Sequence, residues 1–171
     1  MKILKINKKS LLKGLRDAAI LVLAIYGISL WQARHLLDDD GSVEINDLQL
    51  VSVQGNVTPV FEQNKRTLLY FFAPWCSICE VSINNLDYLD DPNLRIVKIA
   101  LDYQNQNAVE QFVSENDVGG NILMGSAQLK QQFNIPGYPT YYLLDENQTV
   151  VGHSFGYSTV LGLKLKNYLN K

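Results

Sequence analysis

Soft and imidazole ligands are scarce in this chain, since 171 residues carry only two cysteines, two histidines and two methionines. A closed structural zinc site needs four ligands, and His35 and His153 have no metal-ligand spacing. Zinc-held folding is therefore set aside. Internal repeats and low-complexity tracts are absent as well. Basic charge is short after residue 17, where nine basic residues face sixteen acidic ones, a net of −7. That balance argues against nucleic acid as a partner. The first seventeen residues reverse it: Lys2, Lys5, Lys8, Lys9, Lys13 and Arg16 stand against Asp17 alone. The overall net charge of −2 conceals this split.

Charge is missing altogether from Ala18 to Ala33. Sixteen residues fall short of the ~20 that span a bilayer, but Leu15, Leu36 and Leu37 extend the run, with Arg16 and Arg34 snorkelling outward. Trp31 suits an interface. The sequence therefore predicts a basic cytoplasmic N-terminus over residues 1–17 and a single membrane-spanning anchor over 18–37. The rest would then lie outside the cytoplasm, where disulfides persist. The rival is a cleaved signal peptide, for which Gly27-Ile28-Ser29 is a passable small-x-small site and Trp31-Gln32-Ala33 a poor one. Residues 38–44, opening Asp38-Asp39-Asp40-Gly41-Ser42, read as a linker to a folded domain over 45–171.

Both cysteines fall in Ala73-Pro74-Trp75-Cys76-Ser77-Ile78-Cys79. The unbroken apolar run Thr67 to Phe72 before them reads as a strand buried on both faces. After them Val81, Ile83, Leu86 and Leu89 recur at helical spacing. A cysteine where a strand turns into a helix meets unpaired N–H groups and a partial positive charge, and both favour thiolate over thiol. Two cysteines three apart lie one turn apart and within disulfide reach. A purely structural staple is weakly motivated, because closing so short a loop removes little chain entropy. The residues predict a redox-active dithiol with Cys76 attacking and Cys79 resolving from beneath. No cofactor beyond that disulfide is called for.

Along the remaining chain, Leu48–Val53 and Val57–Phe61 read as short strands around a Gly55-Asn56 turn. Asp90-Asp91-Pro92-Asn93 ends the cysteine helix, and Leu94–Leu101 reads as a strand parallel to the first, which makes a βαβ unit. Asn107–Asn116 is helical. Ile122–Met124 is a strand, and Ser126 caps a helix running to Phe133. Tyr141–Leu144 and Thr149–Ser154 form a hairpin. Ser158–Leu169 closes the chain as a helix with Leu161, Leu165 and Leu169 on one face.

Together, Trp75-Cys76-Ser77-Ile78-Cys79 after a central strand, Gly137-Tyr138-Pro139-Thr140, the hairpin and the last helix resemble the thioredoxin superfamily over about residues 45–171. The resemblance implies an α/β fold, a central mixed sheet flanked by helices. It also implies a cis bond at Pro139 and a substrate-binding surface of Trp75, Tyr138, Pro139 and Thr140. The 36 residues between Asp102 and Pro139 exceed what plain thioredoxin places there, so an inserted helix and strand are implied. Such an insert behind an N-terminal anchor resembles membrane-anchored periplasmic proteins of cytochrome c maturation and copper tolerance, in the bacterial inner membrane.

Where thioredoxin has a buried acid beneath its dithiol this chain has Tyr70, and Lys98 matches the accompanying lysine. Glu80, just after Cys79, adds a negative charge nearby. Ser77 and Ile78 place no cation between the cysteines, so the thiolate is not heavily stabilised and the reading tilts towards reduction or isomerisation. The implied partners are protein substrates with disulfides or thiols, a membrane or periplasmic electron-donor protein, and the bilayer. Two alternatives stand beside this. One is a copper- or haem-delivery module, which needs a third ligand such as His153; the other is a disulfide-forming oxidase.

Overall fold

The computed structural model describes residues 8–169 and divides between Arg34 and His35 into two units. Residues 1–7 of the basic segment lie outside the described residues, as does the side chain of Trp31. The described part of the first unit is one helix, α1 (Lys8–Ala33), on which Ile20, Leu21, Val22 and Leu23 are exposed. It does not by itself show the expected spanning helix over 18–37. Among the described residues no helix is long and apolar enough to cross a membrane. The adjacent charges Arg16 and Asp17 cut the apolar run at one end. At the other, the helix stops at Ala33, and Leu36 is buried in the core of the second unit.

In the second unit the strands are β1 (Gln49–Ser52), β2 (Val57–Pro59), β3 (Arg66–Phe72), β4 (Leu94–Ala100), β5 (Ile122–Met124), β6 (Thr140–Leu144) and β7 (Val150–Phe155). They form one mixed sheet in the order β2-β1-β5-β4-β3-β6-β7. Every residue of β3 is buried, as its unbroken apolar run requires, because helices cover both faces of the sheet. β3 pairs parallel with β4 and antiparallel with β6, so it sits at the heart of the sheet. The connection from β3 to β4 is α2 (Ser77–Ser82) followed by a 3₁₀ turn, Ile83–Tyr88. Val81 lies off the buried Cys79–Ser82 face of α2 and is exposed, while Ile83, Leu86 and Leu89 are buried.

The stretch between Asp102 and Pro139 holds α3 (Gln106–Glu115), β5 and α4 (Ala127–Gln132). Asn105 caps α3 through the amide of Ala108, and Ser126 caps α4 through that of Leu129. α5 (Val160–Leu169) follows β7. Its leucines divide against simple periodicity: Leu163 is buried, whereas Leu161, Leu165 and Leu169 are exposed. Residues 38–44 also do more than connect. Gly41 N donates to Val150 O at 3.2 Å, Val150 N to Val43 O at 2.8 Å, and Glu44 bridges to Thr149. This segment lies along the start of the β7 edge.

Candidate active site

β3 ends at Phe72, and the turn that follows is closed by Cys76 N donating to Ala73 O at 3.1 Å. Cys76 is the N-cap of α2 with extended φ/ψ of −93° and 102°, and its Sγ accepts from Cys79 N at 3.1 Å. The sulfur therefore occupies the position where a capping oxygen would normally accept a first-turn amide. Cys76 and Cys79 are joined as a disulfide with Cα atoms 5.2 Å apart. Cys76 is 7% exposed and Cys79 not at all. An incoming group meets Cys76 first.

Around this pair the chain gathers residues far apart in sequence. The Tyr138-Pro139 bond is cis. The Tyr138 ring meets Trp75 edge-on with centroids 5.7 Å apart, and Trp75 is 62% exposed. Pro139 O is taken by Gly156 N at 2.8 Å, while among the described residues none hydrogen-bonds the main-chain N–H or C=O of Tyr138. Thr140 is buried completely, and its hydroxyl donates to Gly137 O at 2.8 Å. It braces the turn beneath the surface. Sequence reasoning missed Asp102 and Lys130: Trp75 Nε1 donates to Asp102 O at 2.9 Å, and the Asp102 carboxylate pairs with Lys130. Against the upward push of partial burial, the Lys130 ammonium holds that carboxyl below its ordinary range.

Beneath the dithiol, Tyr70 takes the place of an acid. Its hydroxyl shares a 2.8 Å hydrogen bond with Ser82 Oγ and lies 3.5 Å from Cys79 O. Burial pushes the Tyr70 hydroxyl far above its usual range. Lys98 is the ladder partner of Tyr70, but its ammonium bonds Asp87 at 2.8 Å and Gly119 O at 3.0 Å. It fastens the 3₁₀ turn to the sheet and reaches neither sulfur nor Tyr70 with its charge. Glu80 is an exposed first-turn acid on α2, where it suits the helix end. His153 on β7 packs against Tyr142 of β6, with Nδ1 3.3 Å from Asp39. Among the described residues no three His, Cys, Asp or Glu side chains converge as metal ligands. The delivery-module reading thus lacks its third ligand.

A mixed sheet with a parallel β3-β4 pair, an N-terminal CxxC on the helix between them, a cis-proline loop alongside and a closing hairpin and helix decide the architecture. The fold is thioredoxin-like. A thioredoxin-like protein of Haemophilus influenzae is 29% identical over 126 residues, covering 72% of this chain and 75% of that one. The crystal structure of StoA from Bacillus subtilis superposes with a TM-score of 0.62 at 24% identity, over 70% of this chain and 95% of that one. A secreted Mycobacterium tuberculosis disulfide oxidoreductase, homologous to Escherichia coli DsbE, gives 0.62 at 18% identity, over 72% and 96%. No family model matches the chain. The paired cysteines have the arrangement of a thiol–disulfide oxidoreductase, one sulfur reachable and its neighbour enclosed.

Proposed function

We propose that the protein is a thiol–disulfide oxidoreductase that reduces or isomerises protein disulfides outside the cytoplasm. The observation that carries this reading is the asymmetric Cys76–Cys79 pair on the helix start. In the reduced form the Cys76 thiolate would keep the amide of Cys79 as a hydrogen-bond donor, which stabilises it. It attacks a substrate disulfide, forming a Cys76–substrate bond and releasing one substrate thiolate. Cys79, deprotonated, then attacks Cys76 Sγ, restoring the intramolecular disulfide and releasing the second substrate thiolate. The substrate gains two electrons and the enzyme loses two, so an electron-donor protein must re-reduce the pair.

The free main-chain groups of Tyr138 support binding of an extended substrate segment, whose backbone pairs without regard to sequence. The Trp75 and Tyr138 rings support the placement of an apolar wall beside Cys76. Exposed Ser77 and Ile78 add no cation between the sulfurs, which favours reduction over disulfide formation. Action outside the cytoplasm is supported by the secreted mycobacterial relative, and attachment to a bilayer by the uncharged run of α1.

Replacing Cys79 with Ser and passing the variant over extracts tests the mechanism. Cys76-linked mixed disulfides should accumulate, and none should form through Cys79 in a Cys76→Ser variant. Equal trapping through either cysteine would overturn the assignment. A measured reduction potential near those of strong oxidants would instead favour the oxidase reading.

A further inference from the structure

Four residues from four separate elements close a circuit beside the dithiol, one of its links running through a main-chain carbonyl. Trp75 comes from the turn after β3, Asp102 from just beyond β4, Lys130 from α4 and Tyr138 from the loop before β6. The Trp75 indole donates to Asp102 O at 2.9 Å. The Asp102 carboxylate pairs with the Lys130 ammonium, which stands 5.5 Å from the centroid of the Tyr138 ring. That ring returns to Trp75 edge-on at 5.7 Å. Trp75 is thus held by the main chain of the residue whose carboxylate pairs with Lys130, and Tyr138 lies beside the Lys130 charge.

Stability alone does not account for the pair. Both side chains are 34% exposed, and ion pairs in such surroundings add little to stability. Neither touches the sulfurs, so neither is catalytic. Their contacts converge on the two aromatic side chains that flank Cys76, one of them largely exposed and otherwise free to swing. Resting on the oxidoreductase reading above, we propose that Lys130 and Asp102 form a latch that sets substrate choice. The latch holds the Trp75 and Tyr138 rings in the relative position that receives an extended polypeptide. Lys130 is then a positioning residue for protein disulfides, and a small disulfide that needs no such surface is indifferent to it.

The test uses the full chain, with insulin as the protein disulfide and dithiobis(nitrobenzoate) as the small one. Lys130→Met should raise KM for insulin about fivefold with kcat moving less than twofold, and the insulin-to-small-disulfide rate ratio should fall by the same factor. Lys130→Arg should restore most of the ratio, because it keeps both the ion pair and the charge over the ring. In a Trp31→Phe background, Lys130→Met should make Trp75 emission more accessible to acrylamide quenching. An unchanged insulin KM, an unchanged ratio, or an Arg variant as poor as Met would overturn the latch. Inactivity of the wild-type chain towards both disulfides would instead overturn the oxidoreductase reading, and the latch with it.

Discussion

The hydroxyls of Tyr70 and Ser82 share a 2.8 Å hydrogen bond directly beneath the Cys79 backbone. A buried neutral pair therefore stands where the thioredoxin resemblance places a carboxylate. Tyr70→Phe should remove one partner and leave Ser82 Oγ with only its 3.5 Å contact to Cys79 O. The expected loss is about 1–2 kcal/mol in urea unfolding of the oxidised chain. Because burial keeps Tyr70 protonated, the pH profile of insulin reduction between about pH 6 and 9 should keep its wild-type shape. A displaced profile would show that the hydroxyl pair takes part in proton transfer.

Buried tyrosines set an alkaline limit. Burial raises the Tyr142 hydroxyl to about 12 and lifts Tyr70, Tyr138 and Tyr141 as well. Folded values lie above the ordinary value of about 10. The unfolded chain therefore loses these protons first, and the associated stability is complete below about pH 10 and drains away as pH climbs towards 12. Urea midpoints measured at intervals from pH 8 to 11.5 should be flat and then fall. A decline beginning near pH 8.5 would contradict this.

Gly125 lies where the chain leaves β5, its amide bonded to Ala100 O at 2.9 Å. An added Cβ would meet Leu101 Cδ2 at 2.6 Å, Ile99 Cγ2 at 3.0 Å and Ala100 O at 3.1 Å. Backbone and two core side chains leave little room to shift. Gly125→Ala should cost about 1–3 kcal/mol, read as a lowered melting temperature.

Arg66 is buried at the start of β3. It bonds Asp91 at 3.0 Å and Asn167 O at 2.8 Å, and so joins the turn before β4 to the last turn of α5. Arg66→Leu removes the guanidinium and both of its bonds from a largely enclosed site. A loss of about 3–5 kcal/mol is expected, and calorimetry on the oxidised chain would measure it. A shift under 1 kcal/mol would mean that water reaches Asp91 freely.

The features legible in the sequence are those governed by neighbours along the chain. β3 is legible through the five consecutive apolar residues Leu68 to Phe72, and β5 through the short apolar run Ile122–Met124. The CxxC is readable from local backbone chemistry, and the cis Pro139 loop through the thioredoxin resemblance. The burial pattern of α5 was not, since leucines at 161, 163, 165 and 169 fit two periods at once and only packing selects Leu163. Arg66–Asp91–Asn167 and Trp75–Asp102–Lys130–Tyr138 were hidden for another reason. Their members lie 25 to 101 residues apart or on four different elements, and no local pattern ties them together. The acidic run at 38–44 looked like a solvated linker because its side chains are polar, yet it is the backbone that pairs with β7.

The unequal exposure of the two sulfurs also bears on oxidative damage. An oxidant such as peroxide reaching the reduced protein finds Cys76 at the surface and Cys79 enclosed. Oxygen transfer to Cys76 gives a sulfenic acid, a species open to further, irreversible oxidation if it persists. Cys79 stands one helical turn away, so its thiol condenses with that sulfenic acid, forming the same Cys76–Cys79 disulfide and releasing water. A hit that would destroy a lone thiol becomes an ordinary turn of the redox cycle, reversed by the next pair of electrons.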